Sequence, residues 1–168
     1  MTINSELTHK FSKIQLLALD FDGVLTNNMV FTNQLGEESV ACWRSDGLGL
    51  SQVKKLGIPI WVISTEKNPV VSTRCQKLGI ECLQNCDDKL SALINLLNKY
   101  NEDLDHVAFI GNDINDASCL KKVGLPIIVA ESHQDINGLG KYKTLKYGGR
   151  GAVREVCDLI VKYNPLSK

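Results

Sequence analysis

The stretch Ile14-Gln15-Leu16-Leu17-Ala18-Leu19-Asp20-Phe21-Asp22-Gly23-Val24-Leu25-Thr26 decides how this chain is read. A nearly unbroken apolar run leads straight into two aspartates. A strand covered on both faces of a parallel sheet reads this way, whereas a strand with one wet face alternates. The pattern returns at Ile58-Pro59-Ile60-Trp61-Val62-Ile63, at Val107-Ala108-Phe109-Ile110 and at Leu125-Pro126-Ile127-Ile128-Val129. Ile80-Glu81-Cys82-Leu83 is a weaker version.

Helical patterns separate these runs. Leu90, Leu93, Ile94 and Leu97 fall on one helical face, with Asp87 or Asp88 placed to cap it. Asn68-Pro69 reads as a cap followed by proline in the first turn of a helix that ends near Gly79. Val153, Val156, Cys157 and Ile160 form a last amphipathic helix, about 150–163, after Gly148-Gly149-Arg150-Gly151. Met29–Thr32 and Ser39–Trp43 flank Asn33-Gln34-Leu35-Gly36 and read as a β-hairpin over about 28–43. The expectation is a single α/β domain over 1–168. It is a three-layer sandwich with a mostly parallel open sheet, a small hairpin and no cap domain.

Composition agrees. The chain has 168 residues, 43% hydrophobic and 23% charged, which excludes a disordered tail, a coiled coil or a collagen-like repeat. Lys plus Arg equals Asp plus Glu at 19 each, so no net charge draws it to nucleic acid or an anionic membrane. No apolar run approaches the roughly 20 residues that span a bilayer. Residues 1–13 lack the apolar core of a signal peptide, and a cytoplasmic location is expected. Cys42, Cys75, Cys82, Cys86, Cys119 and Cys157 are scattered. Cys82 and Cys86 are four apart without a matching Cys or His pair, so buried reduced thiols are a better reading than zinc.

In open α/β sheets the chemistry sits beyond the carboxyl ends of the strands. Polar residues do come directly after the apolar runs: Asp20 and Asp22, then Ser64-Thr65-Glu66-Lys67, then Lys89, then Gly111-Asn112-Asp113-Ile114-Asn115-Asp116. Asp20 and Asp22 project to one side where the strand ends. Crowded carboxylates want a cation, most simply Mg²⁺ held by oxygen ligands. A cation and a lysine beside a carboxylate nucleophile suit phosphoryl transfer, where an anion must attack an anion.

Asp20-Phe21-Asp22-Gly23-Val24-Leu25-Thr26 resembles the first motif of haloacid-dehalogenase-type phosphatases. Ser64 matches the second, Lys89 the third and Gly111 to Asp116 the fourth. The resemblance covers nearly the whole chain. It is closest to the capless branch acting on phosphates of 3-deoxy-ulosonic acids, the octulosonate 8-phosphate and nonulosonate (sialic-acid-type) 9-phosphate phosphatases. Gly47-Leu48-Gly49, Asp88-Lys89 and Gly148 to Glu155 carry that closer likeness. The resemblance implies Asp20 as nucleophile, Asp22 as acid and base, Ser64 as a donor to the phosphoryl group and Lys89 as charge balance. It implies Mg²⁺ held by Asp20, the carbonyl of Asp22 and the fourth motif, Asn112, Asp113 and Asp116. Asn112 departs from the family's Gly-Asp-Asp and brings one less negative charge. Asn27-Asn28 departs where the branch often has Asp-Gly.

Thr65, Glu66, Lys67 and Arg150 are the substrate-binding candidates, with Lys67 set to meet a sugar carboxylate and Glu66 its hydroxyls. The loop Thr65-Glu66-Lys67-Asn68-Pro69 looks more like the nonulosonate side of the branch. Surface exposure is the default for Arg150 and Arg154, but the resemblance implies that Arg150 reaches a neighbouring subunit's site. His9, His106 and His133 read as structural or surface, and Trp43 and Trp61 as packing in hairpin and core. Without a cap the site would lie open, so a neighbouring chain is expected to close it in a homotetramer. Two other readings stand beside this one. One is a catalytically weak oligomerisation domain, as attached to sialic-acid cytidylyltransferases. The other is a response-regulator-type phospho-receiver, against which the paired aspartates argue.

Overall fold

The apolar run after Ile14 forms β1 (Leu16–Leu19), and all four residues are buried. Leu17 and Leu19 face one half of the core, while Leu16 and Ala18 face the other. This two-sided burial is why the run does not alternate. The computed structural model describes residues 3–167; Met1, Thr2 and Lys168 of the expected domain lie outside them.

After β1 come the hairpin strands β2 (Thr26–Thr32) and β3 (Glu38–Cys42), then α2 (Arg44–Lys55), β4 (Ile60–Ile63), α3 (Val70–Leu78) and β5 (Glu81–Leu83). The chain continues through α4 (Lys89–Tyr100), β6 (Val107–Gly111), α5 (Ala117–Leu120), β7 (Leu125–Ile128), β8 (Tyr142–Lys143) and α6 (Ala152–Tyr163). A further helix, α1 (Ser5–Ser12), precedes β1. The six-stranded sheet has the order β5-β4-β1-β6-β7-β8, and every pairing in it is parallel. Chain order reverses at β1, whose neighbours are β4 and β6. That switch point opens a crevice at the carboxyl end of β1.

The expected α/β sandwich with its antiparallel hairpin is present. Asp88 caps α4 by accepting from the Ser91 N–H, and α3 ends at Gly79. Asn68 Oδ1 accepts from the Val70 N–H, although Pro69 itself occupies the cap position. Several details differ from the sequence reading. The strands begin two residues later at β1 and β4. Helices α1 and α2, for which the sequence carries no clear pattern, cover one face of the sheet together with α3 and α6. Ile94, read as part of the buried stripe, is exposed, while Leu96 takes a core place. Trp61 is buried as expected and bonds the Tyr100 hydroxyl at 3.2 Å, but Trp43 is 47% exposed.

One buried carboxylate ties the C-terminal helix in. Asp46, in the first turn of α2, accepts from the Arg154 N–H at 2.9 Å. Burial pushes its carboxyl up to about 6, against the opposing pull of that bond. The Arg154 side chain, partly exposed, pairs with Asp158 at 2.7 Å.

Candidate active site

Three parallel strands deliver the site. Asp20 follows β1, Ser64 follows β4 and Asn112 follows β6, and all three are buried. With Asp22, Asn28, Thr65, Asp113, Ile114 and Asn115 they line one crevice of about 340 Å³. Gly23 lets the strands' ends come this close. Its φ is +76°, and a Cβ there would sit 2.0 Å from Asn112 Nδ2.

Lys89 stands behind the crevice. It is the first residue of α4 and only 1% exposed, an unusual state for a lysine unless it is paired. Its Nζ lies 2.9 Å from Asp20 Oδ2 and 2.8 Å from Asp116 Oδ1. The two carboxylates hold the lysine charged, raising its pKa against the desolvation that would lower it. Asp20 also accepts from the Phe21 N–H at 2.7 Å. Burial, and then the charge of Asp116, push the Asp20 carboxyl up to about 7, with Lys89 opposing. Half-buried Asp22 is raised by desolvation, and the Thr26 hydroxyl 3.2 Å from its Oδ1 pulls the other way.

The two aspartates have different partners. Asp20 has a lysine against it and gains from any further cation. Asp22 lacks a direct cationic partner among the described residues, and its carboxyl is bonded by the Thr26 hydroxyl instead. Ser64 Oγ accepts from the Glu66 N–H at 3.1 Å, which leaves its own proton to donate.

Among the described residues no three His, Cys, Asp or Glu side chains gather for a metal. The crevice lining offers a different oxygen set: the Asp20 carboxylate and the Asn112 amide, with Asp22 and Asp113 beside them. Asn112 Oδ1 is buried without a hydrogen-bond partner, an orphaned acceptor of the kind a cation satisfies. All-oxygen donors fit a hard divalent ion.

The other expected site residues are placed differently. Asp116 has both oxygens engaged, one with Lys89 and the other with the Asn112 and Asp113 N–H groups, so it orders the loop instead of facing the crevice. Asp113 lines the crevice but accepts from the Ile114 N–H at 2.7 Å as a local cap. Thr65 lines it too. Glu66 folds back to accept from the Lys67 and Asn68 N–H groups at 2.6 and 2.7 Å. Lys67 is exposed and stands outside the crevice lining. Arg150 lines a separate, larger cavity of about 500 Å³ with Trp43, Lys146 and Arg154. Sequence reasoning missed the hub formed by Thr26, whose hydroxyl accepts from the Gly23 and Asn28 N–H groups at 3.1 and 3.2 Å. A Thr at the start of a strand carries no periodic signal that separates it from a packing residue.

A switch-point crevice with two unlike aspartates, a serine and a buried lysine belongs to the enzymes that cleave phosphate esters on a carboxylate. The family model described as haloacid dehalogenase-like hydrolase matches residues 62–154. The 3-deoxy-D-manno-octulosonate 8-phosphate phosphatase of Escherichia coli K12 is 38% identical over 160 residues, 95% of this chain and 85% of that one. The crystal structure of the enzyme of that name from Moraxella catarrhalis, in complex with magnesium, phosphate and a KDO molecule, is 37% identical. It superposes with a TM-score of 0.93 over 96% of this chain and 94% of that one. A cobalt-bound phosphatase from Haemophilus influenzae is 26% identical with a TM-score of 0.87, covering 92% and 91%. The chain belongs to the haloacid dehalogenase-like hydrolases, and the relatives of known activity among these are phosphatases.

Proposed function

We propose that this chain is a Mg²⁺-dependent phosphatase that hydrolyses 3-deoxy-D-manno-octulosonate 8-phosphate through an aspartyl-phosphate on Asp20. The observation that carries the reading is Lys89, buried and clamped between Asp20 and Asp116 behind the crevice. A buried cation held between two buried carboxylates is a costly arrangement that a purely structural domain has little reason to keep.

An Asp20 oxygen attacks phosphorus as the bond from phosphorus to the sugar oxygen breaks. Asp22 gives its proton to the departing alkoxide, and the sugar acid leaves. Asp22 then takes a proton from the water that attacks the aspartyl-phosphate, releasing inorganic phosphate and restoring Asp20. Ser64 donates to a phosphoryl oxygen, and Lys89 offsets charge on Asp20 and the phosphoryl group. Asp20, the Asp22 carbonyl and Asn112 would hold magnesium, which when bound would supply charge neutralisation on the phosphoryl oxygens. Asp113 would act on this ion through water.

The choice of sugar rests on the relatives, which are octulosonate 8-phosphate phosphatases. The nonulosonate likeness of the 65–69 loop is weakened because Glu66 caps its own loop. The reading of a catalytically weak assembly domain finds no support among them. Release of phosphate from octulosonate 8-phosphate against nonulosonate 9-phosphates, with Mg²⁺, tests the assignment. Preference for a nonulosonate phosphate would reassign the substrate, and full activity of Asp20→Asn would end the mechanism.

A homotetramer belongs to the same reading. Met29, Val30 and Phe31 on β2 are each more than half exposed, an apolar strip that supports contact with further copies. Arg150, which lines a separate cavity of its own chain, would then serve a neighbour's site. The six free cysteines support a reducing compartment, and the reading places the enzyme in the cytoplasm.

A further inference from the structure

Nothing in that reaction uses Gly148 and Gly149, yet they lie directly against the turn that carries Asp22. The Gly149 N–H donates to the Val24 carbonyl at 3.0 Å. A Cβ on Gly148 would come within 1.8 Å of the Gly23 carbonyl oxygen and 3.0 Å of that of Thr26. A Cβ on Gly149, at φ +59°, would come within 2.3 Å of the Asn27 nitrogen. These neighbours are backbone atoms, so no side-chain rotation relieves the clash. The same turn is held a second way by the fully buried Thr26 hydroxyl. It accepts from the Gly23 and Asn28 N–H groups and donates to Asp22 Oδ1.

We propose that Gly148, Gly149 and the Thr26 hydroxyl clamp the 22–28 turn and so fix the Asp22 carboxyl against the leaving oxygen of the substrate. They are positioning residues, acting through Asp22. The inference rests on Asp22 being the acid of the proposed reaction. Glycine is required at 148 and 149 because the C-terminal segment packs backbone to backbone on the catalytic turn. Among the described residues, Thr26 supplies the one side-chain bond to the carboxyl itself, so the clamp couples packing with aim.

An acid matters most when the leaving group is poor. An alkyl phosphate needs its alkoxide protonated, whereas p-nitrophenyl phosphate departs as a stable phenolate. The test measures kcat and KM on both substrates for Gly149→Ala, Thr26→Val, Thr26→Ser and Asp22→Asn, with urea midpoints alongside. Gly138→Ala, whose Cβ would meet open space, is the control. Gly149→Ala and Thr26→Val should lose about 100-fold in kcat/KM on the alkyl phosphate; this ratio ends at formation of the aspartyl-phosphate and so leaves out the work of Asp22 as base on water, which both substrates share. Their loss on p-nitrophenyl phosphate should be much smaller, reproducing the selectivity of Asp22→Asn. Thr26→Ser, which keeps the hydroxyl, should restore the wild-type ratio, and Gly138→Ala should match wild type. If Gly149→Ala does not fold, Thr26→Val carries the test, since it nearly preserves volume. Equal losses on both substrates, or none, would overturn the clamp. If Asp22→Asn itself shows no selectivity, the acid assignment fails and the clamp falls with it.

Discussion

Replacing Lys89 with methionine removes a cation that two buried carboxylates share. The lysine nitrogen lies 2.9 Å from Asp20 Oδ2 and 2.8 Å from Asp116 Oδ1. At an effective dielectric of ~20, each contact is a gross attraction of about 6 kcal/mol. Desolvating three ions cancels most of that, so the measurable quantity is the cost of stranding the two carboxylates, about 3–5 kcal/mol. Against a typical total stability of about 5–15 kcal/mol, the variant should be close to unfolding at neutral pH.

The loss must also depend on pH, because a stranded carboxylate can escape by binding a proton. Burial already raises Asp20 from 3.8 to about 7 with Lys89 in place, and removing the lysine raises it further. Between about pH 4 and that raised pKa the folded variant binds protons that the unfolded chain does not, so its stability falls as pH rises. Urea unfolding in EDTA at about pH 5 and about pH 8 reads this out. Lys89→Met should lie nearer wild type at the lower pH and far below it at the higher. A variant within about 1 kcal/mol of wild type at the higher pH, or one with the same deficit at both, would refute the reasoning.

Removing the metal from wild type should leave a pH signature of the same sign: in EDTA the Tm falls as pH rises from about 4 to about 7, and saturating Mg²⁺ flattens the slope by favouring ionised Asp20. A slope that Mg²⁺ leaves unchanged would remove Asp20 from the metal site. Asn112→Asp restores a charge to the ligand set and should lower the Mg²⁺ concentration for half-maximal activity by about tenfold; an unchanged midpoint would mean that Asn112 does not hold the ion. Ser64→Ala should lower kcat by about 10–100-fold with little change in unfolding midpoint, because its hydroxyl makes one local bond. Phe31→Glu should shift the protein to smaller species in sedimentation velocity, and a particle already monomeric in wild type would dispose of the tetramer.

The sheet was legible because each two-sided strand is an apolar run that a helix or a half-exposed strand would break. Its boundaries were less so: Ile14 and Ile58 continue the apolar pattern but sit just outside the ladder, buried by tertiary packing. Helix α2 escaped because Gly47 and Gly49 interrupt it. Gly49 is needed where a Cβ would meet Arg154 and Cys157 on α6, a contact no local pattern records. The positions of Asp20, Asp22, Ser64 and Lys89 were legible because polar residues break off each apolar run at its carboxyl end. The work of Asp116 was not, since sequence gives its charge but not that both oxygens are already taken. Arg150 and Lys67 show the same limit: a cation's identity is visible, and the direction of a long side chain is not.

The central claim is a covalent phosphoryl group on Asp20, and borohydride tests it most directly. An aspartyl-phosphate reduced during steady-state hydrolysis becomes homoserine, which mass spectrometry of the digested chain locates. Homoserine at position 20, dependent on substrate and Mg²⁺, is the result predicted. Undiminished turnover with no reduced aspartate, or with the mark at Asp22 or Asp113 instead, would contradict it.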